Sequence, residues 1–327
     1  MNRYVFFASS EEYFNVGYRE IMDLPCVHYQ TDYLRSPNKI LKALHSLHNF
    51  RGIAKRVDLP LKAIWYKKYF DEPYSEGSQY IFVFFYQWSW ICQKGFVEYL
   101  RTHYPGCKCV LFLQDVNNAK RLDMPCVKKT FDHVMLFERN YAKQCGIEYY
   151  PLVYCEGMTE YHPTERPIDL LFVGGAKGRY EKLKAIYDRL SKEGVNCQFY
   201  LSRIDQEVLQ SNSGIHIVDN VAYKDNIMLL KQAKCVLDII PEGSNCNTLR
   251  MSEAICYGNR VLTNNMYITR EEYYSPELIS VYSSADDINV SFFKKPYTEA
   301  DYCYKEKISP VALLRHLDDV FARDSNR

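Results

Sequence analysis

No run of 18 apolar residues occurs in the chain, so the sequence offers no helix able to span a bilayer. The 12 cysteines contain no C-x-x-C pair, which leaves neither a zinc ribbon nor a thioredoxin motif. They read as reduced core thiols of a cytosolic protein. The eight histidines show no i, i+4 pairing, and no metal is expected from them. Neither the phosphate loop G-x-x-x-x-G-K-[S/T] nor the dinucleotide fingerprint G-x-G-x-x-G is present. There is no fixed-period repeat and no low-complexity segment. The apolar stretch at residues 4–9 is too short for a signal peptide and reads as a first strand. A net charge of +1 gives no global pull toward nucleic acid, which is not expected as a partner.

What is present is an ordinary globular balance, 47% apolar and 25% charged, over 327 residues. That length suggests two domains at roughly 100–200 residues each. Residues 1–150 carry 20 basic and 15 acidic side chains, so the first part is mildly cationic and the remainder mildly anionic. Short runs rich in Val, Ile, Phe and Tyr predict strands at 4–9, 81–86, 108–113, 133–137 and 149–154. Helical patterns lie between them at 39–48 and 95–103. Residues 156–167 are polar, with two prolines, and read as a linker. Beyond it the alternation is cleaner. Strands are expected at 169–173, 197–201, 215–218, 235–240 and 260–263, and helices at 179–193, 224–233 and 247–257. Such alternation implies parallel sheets covered on both faces. Residues 309–323 form one more amphipathic helix.

Parallel α/β sheets bind ligands beyond the carboxyl ends of their strands. Two segments fall there. Phe172-Val-Gly-Gly-Ala-Lys-Gly-Arg179 combines glycines with two cations suited to phosphate, although a tight strand-to-helix turn needs glycine anyway. The second segment starts with strand residues Ile239-Ile240, passes through Ser244, Asn245 and Asn247, and enters a helix near Thr248. Its N-terminal N–H groups make an anion site. Glu253 lies five residues in, roughly 7–8 Å along the axis. That offset suits a carboxylate accepting from a ribose diol. A helical Glu is more often a solvated surface residue, but here the helix is flanked by apolar strands.

Residues 169–265 resemble the donor-binding domain of GT-B glycosyltransferases of the family 1/4-like type. The match is carried by the Gly-rich turn with Lys and Arg, by 236–241 with its Ser/Gly loop, and by Ser252-Glu-Ala-Ile-Cys-Tyr-Gly258 before Arg260-Val-Leu-Thr263. With Phe131-Asp-His-Val-Met-Leu-Phe-Glu138 and 146–154, the chain resembles bacterial transferases of capsule and lipopolysaccharide assembly. The resemblance implies an α/β protein of two Rossmann-like domains facing across a cleft. An acceptor domain would take residues 1–155 and a donor domain 156–300, and 301–327 would hold a helix crossing back to the first domain. It places Glu253 on the nucleotide ribose, Lys177 and Arg179 near the leaving diphosphate, and Ser244, Asn247 and Thr248 as donors to it. Gly174, Gly175, Tyr223 and Asn245 complete the expected donor set. Asn245 stands where many retaining members have a second Glu. No D-x-D triplet occurs, which argues for metal-independent transfer without a cofactor.

An inverting enzyme needs a general base. Asp115, after the strand at 108–113, and Glu12, beside Glu11 after the first strand, are the candidates; a turn or helix cap would use the same residue types. Residues 39–70 mix Lys39, Lys42, Arg51, Lys55, Arg56, Lys62, Lys67 and Lys68 with Trp65, Tyr66 and Phe70. That mixture suits peripheral contact with an anionic membrane, or a solvated helix face over a core edge. The expected activity is sugar transfer from a nucleotide sugar, UDP-linked by preference, to a glycan or lipid-linked glycan. Two other readings stay open: a non-catalytic two-domain binding protein and a nicotinamide-dependent oxidoreductase.

Overall fold

The computed structural model describes residues 2–31, 38–49, 63–157, 161, 163–176, 178–203, 214–241 and 247–325. The chain forms two compact units, one of residues 1–15, 21–151 and 314–327, the other of residues 16–20 and 152–313.

The first unit is built on a six-stranded, all-parallel sheet. Its strands are β1 (Asn2–Phe7), β2 (Val27–Gln30), β3 (Gln79–Phe85), β4 (Lys108–Leu113), β5 (His133–Leu136) and β6 (Glu148–Tyr149), in the order β2-β1-β3-β4-β5-β6. β1 and β3 are buried over almost their whole length, as central parallel strands must be when both faces are covered. Aromatic rings fill one face: Phe7 stacks on Phe84 at 4.7 Å between centroids and meets Trp88 at 4.6 Å and Phe96 at 5.5 Å. The residue 314–325 portion of the last helix, Pro310–Ser325, belongs to this unit. Tyr4 donates its hydroxyl to the Leu314 carbonyl at 3.2 Å and also contacts the Asp318 carboxylate. Leu314, Leu317 and Phe321 are buried.

In the second unit β7 (Ile168–Gly175), β8 (Cys197–Ser202), β9 (Ile215–Ile217), β10 (Ala233–Asp238), β11 (Arg260–Thr263) and β12 (Ile279–Val281) form a second all-parallel sheet. Its order is β12-β11-β10-β7-β8-β9. Read from β9, the strands run 3-2-1-4-5-6, the dinucleotide-fold order whose direction reverses between β7 and β10. Strand alternation divides the core. Leu171, Val236 and Val261 pack on one face with Leu230, Ala254 and Ile255 from two helices. Leu170, Phe172, Leu237 and Leu262 pack on the other with Leu183, Ile186 and Leu190 of the Tyr180–Ser191 helix. These are the helical spacings the sequence shows, so both sheets and their helices match the expected Rossmann-like pair. Two short edge strands, β2 and β12, are additional, and the strand expected at 149–154 closes after Tyr149. The described cysteines are all free, and most are buried. No helix among the described residues is long and apolar enough to cross a membrane.

Candidate functional site

A cavity of about 650 Å³ opens in the second unit at the carboxyl ends of β7, β8 and β9. Its walls come from residues 173–175, Tyr200, Ser202, Arg203, residues 218–221, Tyr223, Asn226, residues 248–250 and Glu253. It adjoins the point where strand order reverses, the place that open α/β sheets reserve for ligands.

The Leu249–Tyr257 helix supplies its most polar wall. Thr248 caps the helix, accepting from the Met251 N–H at 3.2 Å, and Gly258 ends it at a left-handed φ of 67°. Residues 251–257 are all buried, so this helix runs through the core, and Glu253 with it is only 4% exposed. Burial pushes the Glu253 carboxyl up to about 7, against the opposing pull of the Tyr223 hydrogen bond and the Arg250 charge. The Tyr223 hydroxyl donates to Glu253 Oε1 at 2.7 Å, and Asn226 Nδ2 approaches the same oxygen at 3.5 Å. Tyr223 lies 2.8 Å from the Tyr154 hydroxyl, which in turn lies 3.3 Å from that of Tyr257. Each phenol has one proton, and a carboxylate only accepts. With Glu253 ionised, the chain therefore runs Tyr257 to Tyr154 to Tyr223 to Glu253.

Beside this carboxylate lies an ion pair, Arg250 with Asp238. Arg250 lines the cavity, donates from Nη2 to the Val173 carbonyl at 2.6 Å, and places Nη1 3.9 Å from Asp238 Oδ1. Asp238, at the end of β10, is 2% exposed and accepts from Thr248 Oγ1 at 2.9 Å and Thr263 Oγ1 at 3.2 Å. Burial raises its carboxyl above the ordinary range. Gly174 has a φ of 155°, which favours glycine, and a Cβ there would touch Arg250 Nη2 at 3.4 Å.

Of the residues the sequence singled out, Gly174, Gly175, Tyr223, Thr248 and Glu253 converge on this cavity. Arg179 does not join them. Its guanidinium donates to the carbonyls of Ile239 at 2.7 Å and Gly175 at 3.3 Å, and burial lowers its pKa. Arg250 stands at the cavity in its stead; it lies three residues before Glu253 and hence on the same side of the helix, a spacing visible in the sequence. Asn247 is also absent from the lining and accepts from the Tyr273 hydroxyl at 2.6 Å. Lys177, Ser244 and Asn245 lie outside the described residues. In the first unit, Asp115 is exposed and caps a short helix, accepting from the Asn118 N–H at 2.7 Å, while Glu12 is exposed in the first turn of the Glu12–Gly17 helix.

No protein-family model matches the chain, and no curated protein matches it in sequence. Solved structures do match in fold. The spinosyn rhamnosyltransferase SpnG is 11% identical, with a TM-score of 0.53 over 97% of this chain and 100% of its own. The same enzyme complexed with spinosyn aglycone aligns at 0.52 over the same extents. An alpha-glucosyltransferase in complex with UDP-glucose and DNA containing an abasic site aligns at 0.50 with 12% identity, over 96% of this chain and 92% of its own. The chain has the fold of the GT-B glycosyltransferases.

Proposed function

We propose that the protein is a glycosyltransferase that binds a nucleotide-sugar donor in the second unit's cavity and transfers the sugar to a glycan or lipid-linked glycan of a bacterial surface polysaccharide. One observation carries this reading: a buried carboxylate, Glu253, is held by Tyr223 at the wall of a cavity that also receives a helix N-terminus and Arg250. A ribose diol donates to the carboxylate, and a diphosphate finds the helix N-terminus and the guanidinium. As the bond to the sugar breaks, negative charge grows on the diphosphate, and Arg250 with the helix end stabilises it more than in the ground state. A UDP-linked donor is our preferred reading. Asp115, after β4, is our choice of general base, with Glu12 its rival. No metal or other cofactor is needed for the transfer step in this reading.

The described surface of residues 39–48 and 63–70 supports peripheral binding to an anionic membrane, on the cytoplasmic side in our reading. Its aromatic residues do not take part as the sequence suggests: Trp65 is buried and donates to His48 Nδ1 at 2.7 Å, and Tyr66 and Phe70 are buried too. Instead Ile40, Leu44 and Leu47 form an exposed i, i+4, i+7 stripe on the Lys39–Asn49 helix. Exposed Ile64, Lys39, Lys42, Lys67 and Lys68 accompany it. Arg51, Lys55, Arg56 and Lys62 lie outside the described residues. Salt-sensitive cosedimentation with anionic vesicles, lost in a Leu44→Asp/Leu47→Asp variant, is the expected result; equal binding to neutral vesicles overturns it.

A thermal-shift panel of UDP, GDP, CMP and NAD tests the main reading. Stabilisation by UDP or GDP without NAD, followed by release of labelled sugar from the matching nucleotide sugar, is expected. Stabilisation by NAD alone would favour the oxidoreductase, and nucleotide binding without turnover a binding protein.

A further inference from the structure

The first unit gathers three side chains that the sequence keeps far apart. His133 begins β5, and Glu148 on β6 pairs in register with Met135, so His133 and Met135 share a face two residues apart and Glu148 sits alongside. The last helix brings His316 to the same place. His133 Nε2 is 2.5 Å from Glu148 Oε2, and His316 Nε2 is 3.1 Å from Glu148 Oε1. The donor atoms of all three lie within 4.8 Å of one another.

We propose that His133, Glu148 and His316 bind a zinc-class divalent ion that ties the last helix to the β5–β6 edge of the first unit. Two imidazole nitrogens and one carboxylate oxygen are the donor set of three-ligand zinc sites that leave a fourth position for water. With metal–ligand distances of about 2.0–2.2 Å, tetrahedral donors stand about 3.3 Å apart, a spacing these atoms reach by small side-chain rotations. A second observation points the same way. His316 Nε2 is shut off from solvent, yet it makes no aligned hydrogen bond despite its closeness to Glu148. An ion shared with Glu148 would give that nitrogen a ligand bond in place of the misaligned contact. The side chains remain 19%, 32% and 27% exposed for His133, Glu148 and His316, which leaves a way in for the ion and its water. All three ligands belong to the first unit, whereas the cavity is lined by the second, and the role proposed for the ion is to hold the fold.

The test is titration of ZnCl2 into the full-length protein after stripping with chelator, followed by calorimetry, with Co2+ as a spectroscopic probe. Expected are one ion per chain, a higher melting temperature with Zn2+, and visible Co2+ bands of a four-coordinate nitrogen–oxygen site. His316→Ala and Glu148→Gln should weaken uptake by at least about 100-fold, since even outer partners of metal ligands can matter that much. Uptake retained in His316→Ala would put the ion on thiols, such as exposed Cys303, and overturn the proposal. Should His316→Ala not fold, the wild-type Co2+ spectrum decides alone. A thiolate charge-transfer band, or no visible bands, overturns it as well.

Discussion

In the first unit Asp115, Asp123 and Glu138 stand at helix starts, and each accepts a backbone N–H of the turn that follows. In the second unit Asp238 and Glu253 cap nothing. One ends a strand and the other sits inside a helix, both buried and served by side-chain hydroxyls. A capping carboxylate is satisfied by its own helix and is useful without a ligand. A buried carboxylate away from any cap carries an unrecovered desolvation cost, visible in the raised pKa of both residues. Strain of that kind concentrates where a ligand supplies the missing partners. In the proposed reading, the contrast separates carboxylates that hold a fold from Glu253, whose missing partners a nucleotide would supply.

The largest effect is expected where that contrast is breached. Asp115→Asn preserves the cap, because Asn caps as well as Asp, but removes a base. Sugar transfer should fall about 10²–10⁴-fold with unchanged melting and unchanged nucleotide affinity. An unaltered rate would return Asp115 to capping alone and move the search to Glu12. Next in size is Glu253→Gln, which keeps the shape and loses the charge. Calorimetry should show UDP binding weakened about tenfold or more, and weaker still in Glu253→Ala. Wild-type affinity in a folded variant would misplace the donor site.

Acidity gives a similar but more graded effect. Ribose hydroxyls prefer the ionised carboxyl, so uridine affinity should rise up to about tenfold from pH 6 to pH 8, centred near 7, and Glu253→Gln should flatten the profile. Stability moves the other way. Between the ordinary 4.5 and about 7, the folded protein keeps a proton that the unfolded chain has released, so stability declines as pH rises through that window. The decline amounts to roughly 3 kcal/mol and is absent in Glu253→Gln. The smallest effect belongs to Glu138→Ala. Losing two N–H contacts, at 3.1 and 2.6 Å, should cost about 1 kcal/mol of stability and leave nucleotide affinity untouched.

The sheets were legible because their strands are buried on both faces and read as continuous apolar runs, and because the Tyr180–Ser191 helix keeps its inward residues at helical spacing. The place of Glu253 at the cavity was legible from its position, five residues into a helix that is flanked by apolar strands and follows one of them. β2 and β12 were not, since Val27–Gln30 and Ile279–Val281 are short edge strands with little apolar signal. The direction of Arg179 could not be read, because two carbonyls, one of them 60 residues away, compete for its guanidinium. Tyr154 joins Glu253 across 99 residues, a link that exists only once β7 and the two helices have packed.

The three phenols behind Glu253 have a further property, which is direction. With the carboxyl ionised, every hydroxyl in the row points toward it, and each donor polarises the next. Protonate Glu253 and the row can run backward, the acid donating to Tyr223, Tyr223 to Tyr154 and Tyr154 to Tyr257. A single proton at the cavity wall thus sets the sense of three bonds that end at Tyr257, about one turn further along the helix that carries Glu253. The tyrosine C–O vibrations would register it as a concerted reversal, readable by infrared difference spectroscopy whenever a nucleotide displaces that proton.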